Sequence, residues 1–266
     1  MGVVEKFVTI GPMRSKILLA SLVLTINTAS LAWAGALTVA VAASARFAFE
    51  EIRQAFEQET EIDVKTVVGS SGKLTAQIEQ GAPFDVFLSA DTDYPRRLYE
   101  KGLTATKPRV YGYGRLVLWT LSGKDVTGGI MSLRDAGIRT IAIADPRLAP
   151  YGREALAALR RYRLDEALTK KFIYGESVAQ VNQFVVSRAA DVGFTAKAVV
   201  LADSFRGGQW VEVPTEAYRP IAQAAVVLKG SSLRQVSLAE RFFAFLFSPR
   251  AREILRQYGY GGNERE

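Results

Sequence analysis

The chain of 266 residues contains no cysteine and no histidine. It therefore cannot build a zinc site of the Cys/His type, and neither Ser-His-Asp nor Cys-His catalysis is available to it. Disulfide bonds are excluded as well, although that absence alone does not decide the cellular compartment.

The charge pattern argues against one class of partner. The formal net charge is +7, yet no dense run of Lys and Arg is interleaved with aromatic residues. We therefore expect no nucleic-acid partner, whereas a mildly basic protein attracts anions at long range. A hydrophobic fraction of 48% and a charged fraction of 23% are ordinary for a globular protein with a packed core.

Residues 1–34 have the pattern of an export signal. A positively charged flank precedes an apolar stretch at residues 17–26, and residues 32–34 (AWA) form a small-x-small cleavage site. A membrane anchor is the competing interpretation, because no charge follows this flank before Arg46, but polar Asn27 interrupts the apolar run early. We predict a signal peptide cleaved after residue 34, with cleavage after Ala36 as the alternative. Since no cysteine could carry a lipid, we expect a soluble protein in the periplasm.

Two serine-bearing turns follow predicted strands. Ser70 and Ser71 lie in a Gly-Ser-Ser-Gly turn between a β-branched run and a segment with apolar residues at helical spacing. Ser44 lies in an alanine-rich turn between the strand pattern of residues 37–41 and another helical segment. Helix starts have free N–H groups and a partial positive charge, which suit an anion. The alternative is that Ser70 or Ser71 only caps its helix.

Strand and helix patterns alternate along the chain after residue 36, which predicts an α/β fold with mostly parallel sheets. The apolar run at residues 84–89 completes a βαβ unit around the second serine turn. In such sheets ligands bind at the carboxyl ends of strands, where both serine turns lie. A polar, glycine-rich loop at residues 122–129 is expected where the chain enters a second lobe.

Several segments together resemble the periplasmic molybdate-binding proteins of ABC transporters. The two most specific are GAPFDVFLSAD at residues 81–91 and DPRLAPYG at residues 145–152, in this order and at this distance. Further matching segments are VAVAASARF, SSGKLTAQIEQ, ESVAQVNQFV, DVGFTAKA, YRPIAQAAVVL and FFAFLFSPRAREILRQYGY. The resemblance covers nearly the whole chain that follows the predicted signal.

The resemblance implies a two-lobed periplasmic binding protein fold of type II. Each lobe would be a mostly parallel sheet flanked by helices, with the ligand cleft between the lobes. Lobe 1 would comprise residues 35–115 and 220–266, and lobe 2 residues 116–219. It also implies a monomer with no enzymatic activity and no cofactor, which binds molybdate or tungstate. Its partners would be an ABC transporter permease and its ATPase at the inner membrane.

Carried over residue by residue, the resemblance places the oxyanion against the hydroxyls of Ser44 and Ser71. Neighbouring N–H groups would contribute, including that of Ala45. Two further helix starts would add the backbone N–H groups of Tyr151 and Val178. The metal would enter as an oxyanion, so no side chain would coordinate it directly.

Two more residues are candidates for the same site. Ser70 adjoins Ser71 in the second serine turn. Members of the family often place a tyrosine hydroxyl where this sequence has Phe194, and phenylalanine cannot donate a hydrogen bond. We expect that contact to be missing or to be replaced by another group, for which Tyr151 is a candidate.

The choice of ligand can also be argued from the chemistry of the donors. A fully ionised oxyanion has no proton to donate, so it is best met by hydroxyl and N–H donors. Phosphate keeps a proton near neutral pH, and a selective phosphate site would need a buried carboxylate as acceptor. The predicted contact turns contain no acid, although Asp85, Asp91 and Glu154 lie nearby in sequence.

Three alternatives to molybdate remain open at this stage. Sulfate is also a tetrahedral dianion, and phosphate or a small organic acid could be bound by the same fold. A different class of function is a hydrolase or transferase with Ser71 or Ser44 as nucleophile. With no histidine or cysteine in the chain, its base would have to be Lys73 or an acid.

Overall fold

The computed structural model describes Gly2 and residues 36–205, 207–230 and 232–262. The predicted signal peptide, apart from Gly2, lies outside the described residues. Among the residues that are described, no helix is both long and apolar enough to cross a lipid bilayer.

Strands and helices alternate along the described chain. The strands are β1 Leu37–Ala42, β2 Val64–Gly69, β3 Val86–Leu88, β4 Arg109–Gly114, β5 Leu116–Thr120, β6 Ile141–Ala144, β7 Phe172–Gly175, β8 Val192–Ala196, β9 Gln209–Glu212 and β10 Ile221–Val227. The helices are α1 Arg46–Thr60, α2 Ser71–Glu79, α3 Asp93–Glu100, α4 Pro150–Arg161, α5 Asp165–Leu168, α6 Val178–Val186, α7 Lys197–Val200, α8 Leu233–Leu246 and α9 Pro249–Gln257. The α/β prediction is confirmed.

The strands form two five-stranded sheets, in the orders β2-β1-β3-β10-β4 and β7-β6-β8-β5-β9. In the first, β1 is parallel to β2 and β3, and β10 is antiparallel to β3 and β4. In the second, β6 is parallel to β7 and β8, and β5 is antiparallel to β8 and β9. Four strands of each sheet therefore share one direction, as predicted, but one interior strand is reversed, so each sheet is mixed.

The reversed strands, β5 and β10, are those through which the chain passes from one sheet to the other. Gly114 ends β4 and Leu116 begins β5, so the chain passes almost directly from the first sheet to the second. Strand β10 returns it to the first sheet, between β3 and β4. Each arriving strand enters at the end where the parallel strands finish, and so it must run against them.

The two sheets divide the sequence in a simple way. The first takes its strands from residues 37–114 and 221–227, and the second takes its strands from residues 116–212. The two-lobed architecture agrees with this division. The predicted lobe boundaries at residues 115/116 and 219/220 stay a prediction.

Apolar side chains at helical spacing hold the helices on the sheets. Phe49, Ile52 and Phe56 of α1 are buried on one face, in the same apolar cluster as strand β1. Phe56 packs edge-to-face on Phe242 of α8, with ring centroids 5.1 Å apart. Burying each such side chain contributes about 1.5–3 kcal/mol. These contacts fix where α1 begins, and therefore fix the serine turn that precedes it.

Candidate functional site

Four helices begin around one small cavity, two from each sheet. Strands β1 and β2 lead into α1 and α2, and strands β6 and β7 lead into α4 and α6. The cavity is lined by Ala42, Ala43, Ser44, Ser70, Ser71, Ala90, Ala149, Pro150, Tyr151 and Val178. Its volume of about 10 Å³ is close to what a single water molecule requires. The carboxyl ends of strands from both sheets thus meet at this cavity.

Most of the residues proposed from the sequence lie at this cavity. Ser44, Ser70, Ser71, Tyr151 and Val178 all line it. They are far apart in the chain, and the topology of the two sheets brings them together.

Two predicted residues do not line the cavity. Ala45 is buried next to Ser44, in the short 3₁₀ turn before α1. Phe194 is buried in β8, where it belongs to the apolar core of the second sheet and is paired with Leu118. Phe194 thus takes a packing position.

Ser44 is the most unusual polar group at the cavity. It is 1% exposed, and its Oγ atom has no hydrogen-bond partner among the described residues. A buried hydroxyl without a partner costs free energy, and most buried polar groups in folded proteins are paired. Ser44 therefore offers a donor, at a cavity wall, that the rest of the described chain does not use.

The two adjacent serines of the second turn have different roles. The Oγ atom of Ser70 accepts a hydrogen bond from the N–H of Lys73 at 3.4 Å, so Ser70 is the N-cap of α2. The Oγ atom of Ser71 accepts from the N–H of Ala90 at 3.0 Å. A hydroxyl that accepts in this way keeps its own proton to donate. Helix capping therefore accounts for the position of the Ser70 side chain, but it does not account for that of Ser71.

The helix starts at the cavity present backbone donors. Ser71, Tyr151 and Val178 lie in the first turns of α2, α4 and α6, where N–H groups have no acceptor within the helix. The positive ends of three helix dipoles also point to this region. An anion here would meet hydroxyl and amide donors and partial positive charges.

The side chain of Tyr151 reaches from α4 to the first sheet. Its hydroxyl accepts a hydrogen bond from the Nε2 atom of Gln223 in β10 at 3.1 Å, while the Oε1 atom of Gln223 accepts from the hydroxyl of Tyr111 at 2.8 Å. Burial raises the pKa of Tyr151 well above its ordinary value, so the phenol stays protonated. Gly114 leaves room for it, because a Cβ atom there would collide with the Tyr151 hydroxyl.

No Asp, Glu, Lys or Arg is among the residues that line the cavity in the described part of the chain. The three acids near the predicted turns are used elsewhere. Asp85 accepts from the N–H of Thr38 at 2.7 Å, Asp91 pairs with Arg153 at 2.5 Å, and Glu154 accepts from the N–H of Arg219 at 2.9 Å. The polar groups at the cavity are therefore hydroxyls and backbone groups.

Sequence reasoning missed several wall residues. Ala90, Ala149 and Pro150 line the cavity but have no polar side chain, so no residue pattern singles them out. Ala90 acts through its backbone, by donating to Ser71. The one available signal was its place directly after β3, at the same sheet edge as the serine turns.

Comparison with known proteins gives consistent matches along the chain. The family model of bacterial extracellular solute-binding proteins matches residues 37–261. The molybdate-binding protein ModA of Azotobacter vinelandii is 37% identical over 236 residues, covering 88% of this chain and 92% of the relative. The protein of the same name from Rhodobacter capsulatus is 36% identical over 243 residues, covering 90% of this chain and 94% of the relative.

Solved structures agree with the sequence matches. The periplasmic molybdate-binding protein of Azotobacter vinelandii superimposes with a TM-score of 0.81 at 33% identity, covering 86% of this chain and 100% of that one. The sulfate-binding protein SubI of Mycobacterium tuberculosis gives a TM-score of 0.71 at 17% identity, covering 86% of this chain and 88% of that one. The second likeness shows a shared fold alone.

Proposed function

The chain belongs to the family of bacterial extracellular solute-binding proteins, and from this premise we propose that it captures molybdate, with tungstate as a second ligand. It would act as a monomer in the periplasm and deliver the anion to the permease and ATPase of an ABC transporter. Ser44 and Ser71 would donate through their hydroxyls, and Ala45, Tyr151 and Val178 through their backbone N–H groups.

The unpartnered Oγ atom of Ser44 carries the proposal. A buried hydroxyl that lines a cavity and has no partner in the described protein is explained if a ligand accepts its hydrogen bond. The Ser71 hydroxyl and the first-turn N–H groups of α4 and α6 converge on the same space. All of these groups can donate, as a fully ionised tetrahedral oxyanion requires.

No carboxylate lies among the described residues that line the cavity, which favours molybdate or sulfate over phosphate. A protonated phosphate would leave its own O–H donor without an acceptor, which costs free energy in a closed site. Asp91, Glu154 and Glu176 are close in sequence to lining residues, and they already accept hydrogen bonds from Arg153, from the N–H of Arg219 and from Lys73. Between molybdate and sulfate, the identity of 36–37% to two molybdate-binding relatives supports molybdate.

A serine-dependent hydrolase is not supported by the contacts. The Oγ atom of Ser44 has no base within hydrogen-bond reach in the described residues. The Nζ atom of Lys73 contacts Glu176 at 2.8 Å, so it is directed to that carboxylate and not to the hydroxyl of Ser71. We propose that the protein binds its solute without transforming it.

A thermal-shift titration tests the proposal, with molybdate, tungstate, sulfate and phosphate added separately to the purified protein. A ligand at about a thousand times its dissociation constant adds roughly 4 kcal/mol of stability. Large shifts with molybdate and tungstate and little with sulfate are expected. A shift with sulfate or phosphate only would show that the ligand is that anion instead of molybdate. No shift with any of the anions would refute the proposed binding function.

A further inference from the structure

Polar contacts join the two lobes beside the proposed anion site. The N–H of Gly72 donates to the carbonyl of Leu148 at 2.8 Å, and Lys73 pairs with Glu176 at 2.8 Å. In the first contact a loop before α4 meets the start of α2, and in the second the start of α6 meets α2. These elements carry the proposed ligand donors.

A third contact is the ion pair between Arg153 of α4 and Asp91, which follows β3. The Nη2 atom of Arg153 lies 2.5 Å from Oδ2 of Asp91. The other carboxylate oxygen of Asp91 accepts from the hydroxyl of Ser89 at 2.9 Å and from the N–H of Tyr94 at 3.2 Å. The carboxylate is thus held in place by its own lobe before Arg153 of the other lobe reaches it.

This ion pair is directly connected to the proposed contacts of both lobes. Asp91 follows Ala90, whose N–H donates to the Oγ atom of Ser71. Arg153 lies two residues after Tyr151, in the first turns of α4. The pair therefore ties a donor element of one lobe to a donor element of the other.

The small size of the cavity connects the ion pair to anion binding. A tetrahedral oxyanion has four oxygen atoms and is larger than the single water for which the cavity of about 10 Å³ has room. Entry and exit of the anion therefore require the surrounding elements to separate. Separation of α4 from the β3–α3 loop breaks the contact between Arg153 and Asp91.

We propose that Arg153 and Asp91 form a latch that holds the lobes closed over the anion and sets how long it stays bound. They are positioning residues, which act through closure and touch no ligand. The inference rests on the proposed function, because it concerns release of the same anion.

Arg153 also lies 3.9 Å from the exposed carboxylate of Asp93, but the ion pairs between the lobes differ in burial, and burial decides how much each contributes. The side chains of Arg153 and Asp91 are 35% and 12% exposed, whereas those of Lys73 and Glu176 are 50% and 47% exposed. Exposed pairs are screened by solvent and salt and contribute little. We therefore expect Arg153 and Asp91 to dominate the charge contribution to closure.

Stopped-flow measurement of molybdate release tests the latch, with Arg153→Gln as the main variant. Loss of a contact in a closed complex acts mostly on the dissociation rate, and we expect release about tenfold faster. The combined variant with Asp91→Asn should be no faster than Arg153→Gln alone, since that change already removes the contacts of Arg153 with both Asp91 and Asp93. Arg153→Lys should restore part of the slow release.

Arg160→Gln is the matched control, because Arg160 lies on the same helix and pairs with Asp165 of its own lobe at 3.4 Å. It should release molybdate at the rate of the unaltered protein. Small-angle scattering of the anion-free proteins gives a second readout, in which Arg153→Gln should be more extended than the control.

A second variant tests closure without changing any charge. A Cβ atom at Gly72 would lie 2.6 Å from the Tyr94 hydroxyl, which donates to the carbonyl of Arg147 in the other lobe, and 3.0 Å from the Cα and O atoms of Leu148. Gly72→Ala therefore disturbs two contacts between the lobes. We expect faster release here as well. If the unaltered protein binds molybdate and Arg153→Gln releases it at the control rate, the latch is refuted while the proposed function stands. If the unaltered protein binds no oxyanion, the proposed function fails and the latch fails with it.

Discussion

Replacing Ser44 with alanine should move stability and affinity in opposite directions. In the protein without an anion, the buried Oγ atom of Ser44 has no partner among the described residues. Removing it relieves the cost of burying an unpaired hydroxyl, which is about 1–3 kcal/mol. The small space left by the lost oxygen offsets part of this gain. Ser44→Ala should therefore unfold at the same free energy as the unaltered protein or at a higher one.

With the anion bound, the same substitution removes a hydrogen bond to a charged acceptor. Such bonds contribute about 1.5–3 kcal/mol. The dissociation constant for molybdate should therefore rise by roughly tenfold to a hundredfold, since each 1.4 kcal/mol is a factor of about ten. A residue that served only in packing would not produce this combination of retained stability and lost affinity.

Isothermal titration calorimetry measures the affinity, and urea unfolding without anion measures the stability. Ser248→Ala is the matched control, since Ser248 caps α9 by accepting from the N–H of Ala251 at 3.2 Å. It should lose about 1 kcal/mol of stability and keep its affinity. If Ser44→Ala instead behaves like this control, the assignment of Ser44 as a ligand donor is refuted.

Three further substitutions have distinct expected outcomes. Ser71→Ala should lose about 1 kcal/mol of stability in urea, because the N–H of Ala90 loses its acceptor, and calorimetry should also show weaker molybdate binding by about 1–3 kcal/mol. Tyr151→Phe leaves the buried Nε2 atom of Gln223 without its acceptor and should lower the free energy of unfolding by about 1–3 kcal/mol, which unchanged urea midpoints would contradict. Burial acts to raise the pKa of Asp191, but hydrogen bonds from backbone N–H groups outweigh this effect and lower the pKa below 3.8. The contribution of the ionised carboxylate to stability is therefore present at neutral pH and is lost as the pH falls through that lowered value. Asp191→Asn should therefore be about 1 kcal/mol less stable at pH 7, with a difference that shrinks in acid unfolding curves.

The sequence predicts the order of strands and helices better than it predicts strand direction. Alternating apolar runs and helical spacing depend on neighbouring residues, so residues 37–41 and the serine turns can be recognised locally. The reversal of β5 and β10 depends on where the chain enters each sheet, which is a property of the whole topology. No local pattern in Leu116–Thr120 carries that information.

At the candidate site, too, local features can be predicted from the sequence, whereas features that depend on the whole fold cannot. Ser44 and Ser71 can be proposed from their turns, because a hydroxyl at a helix start has a recognisable chemistry. The sequence could not tell which of Ser70 and Ser71 caps α2, since that depends on the rotation of each side chain at the first turn. Phe194 is a candidate only through the family resemblance, and its place in the apolar core around the second sheet explains why an apolar ring fits there. Its role as a replaced ligand contact stays a prediction.

The cations beside the cavity show how the proposed site would select an anion. Arg153 and Lys73 each flank a proposed contact, yet each faces a carboxylate of the other lobe, Asp91 or Glu176. Their charges are therefore balanced, and the anion would meet neutral donors and helix dipoles. All fully ionised tetrahedral dianions interact alike with such donors, so discrimination between molybdate and sulfate has to come from the size at which the cavity closes. Closure is in turn what the contact between Arg153 and Asp91 would stabilise. Affinity and selectivity would thus both depend on how the lobes close. The ion pairs attract the lobes to each other, and they leave the choice of ligand to the size of the closed cavity.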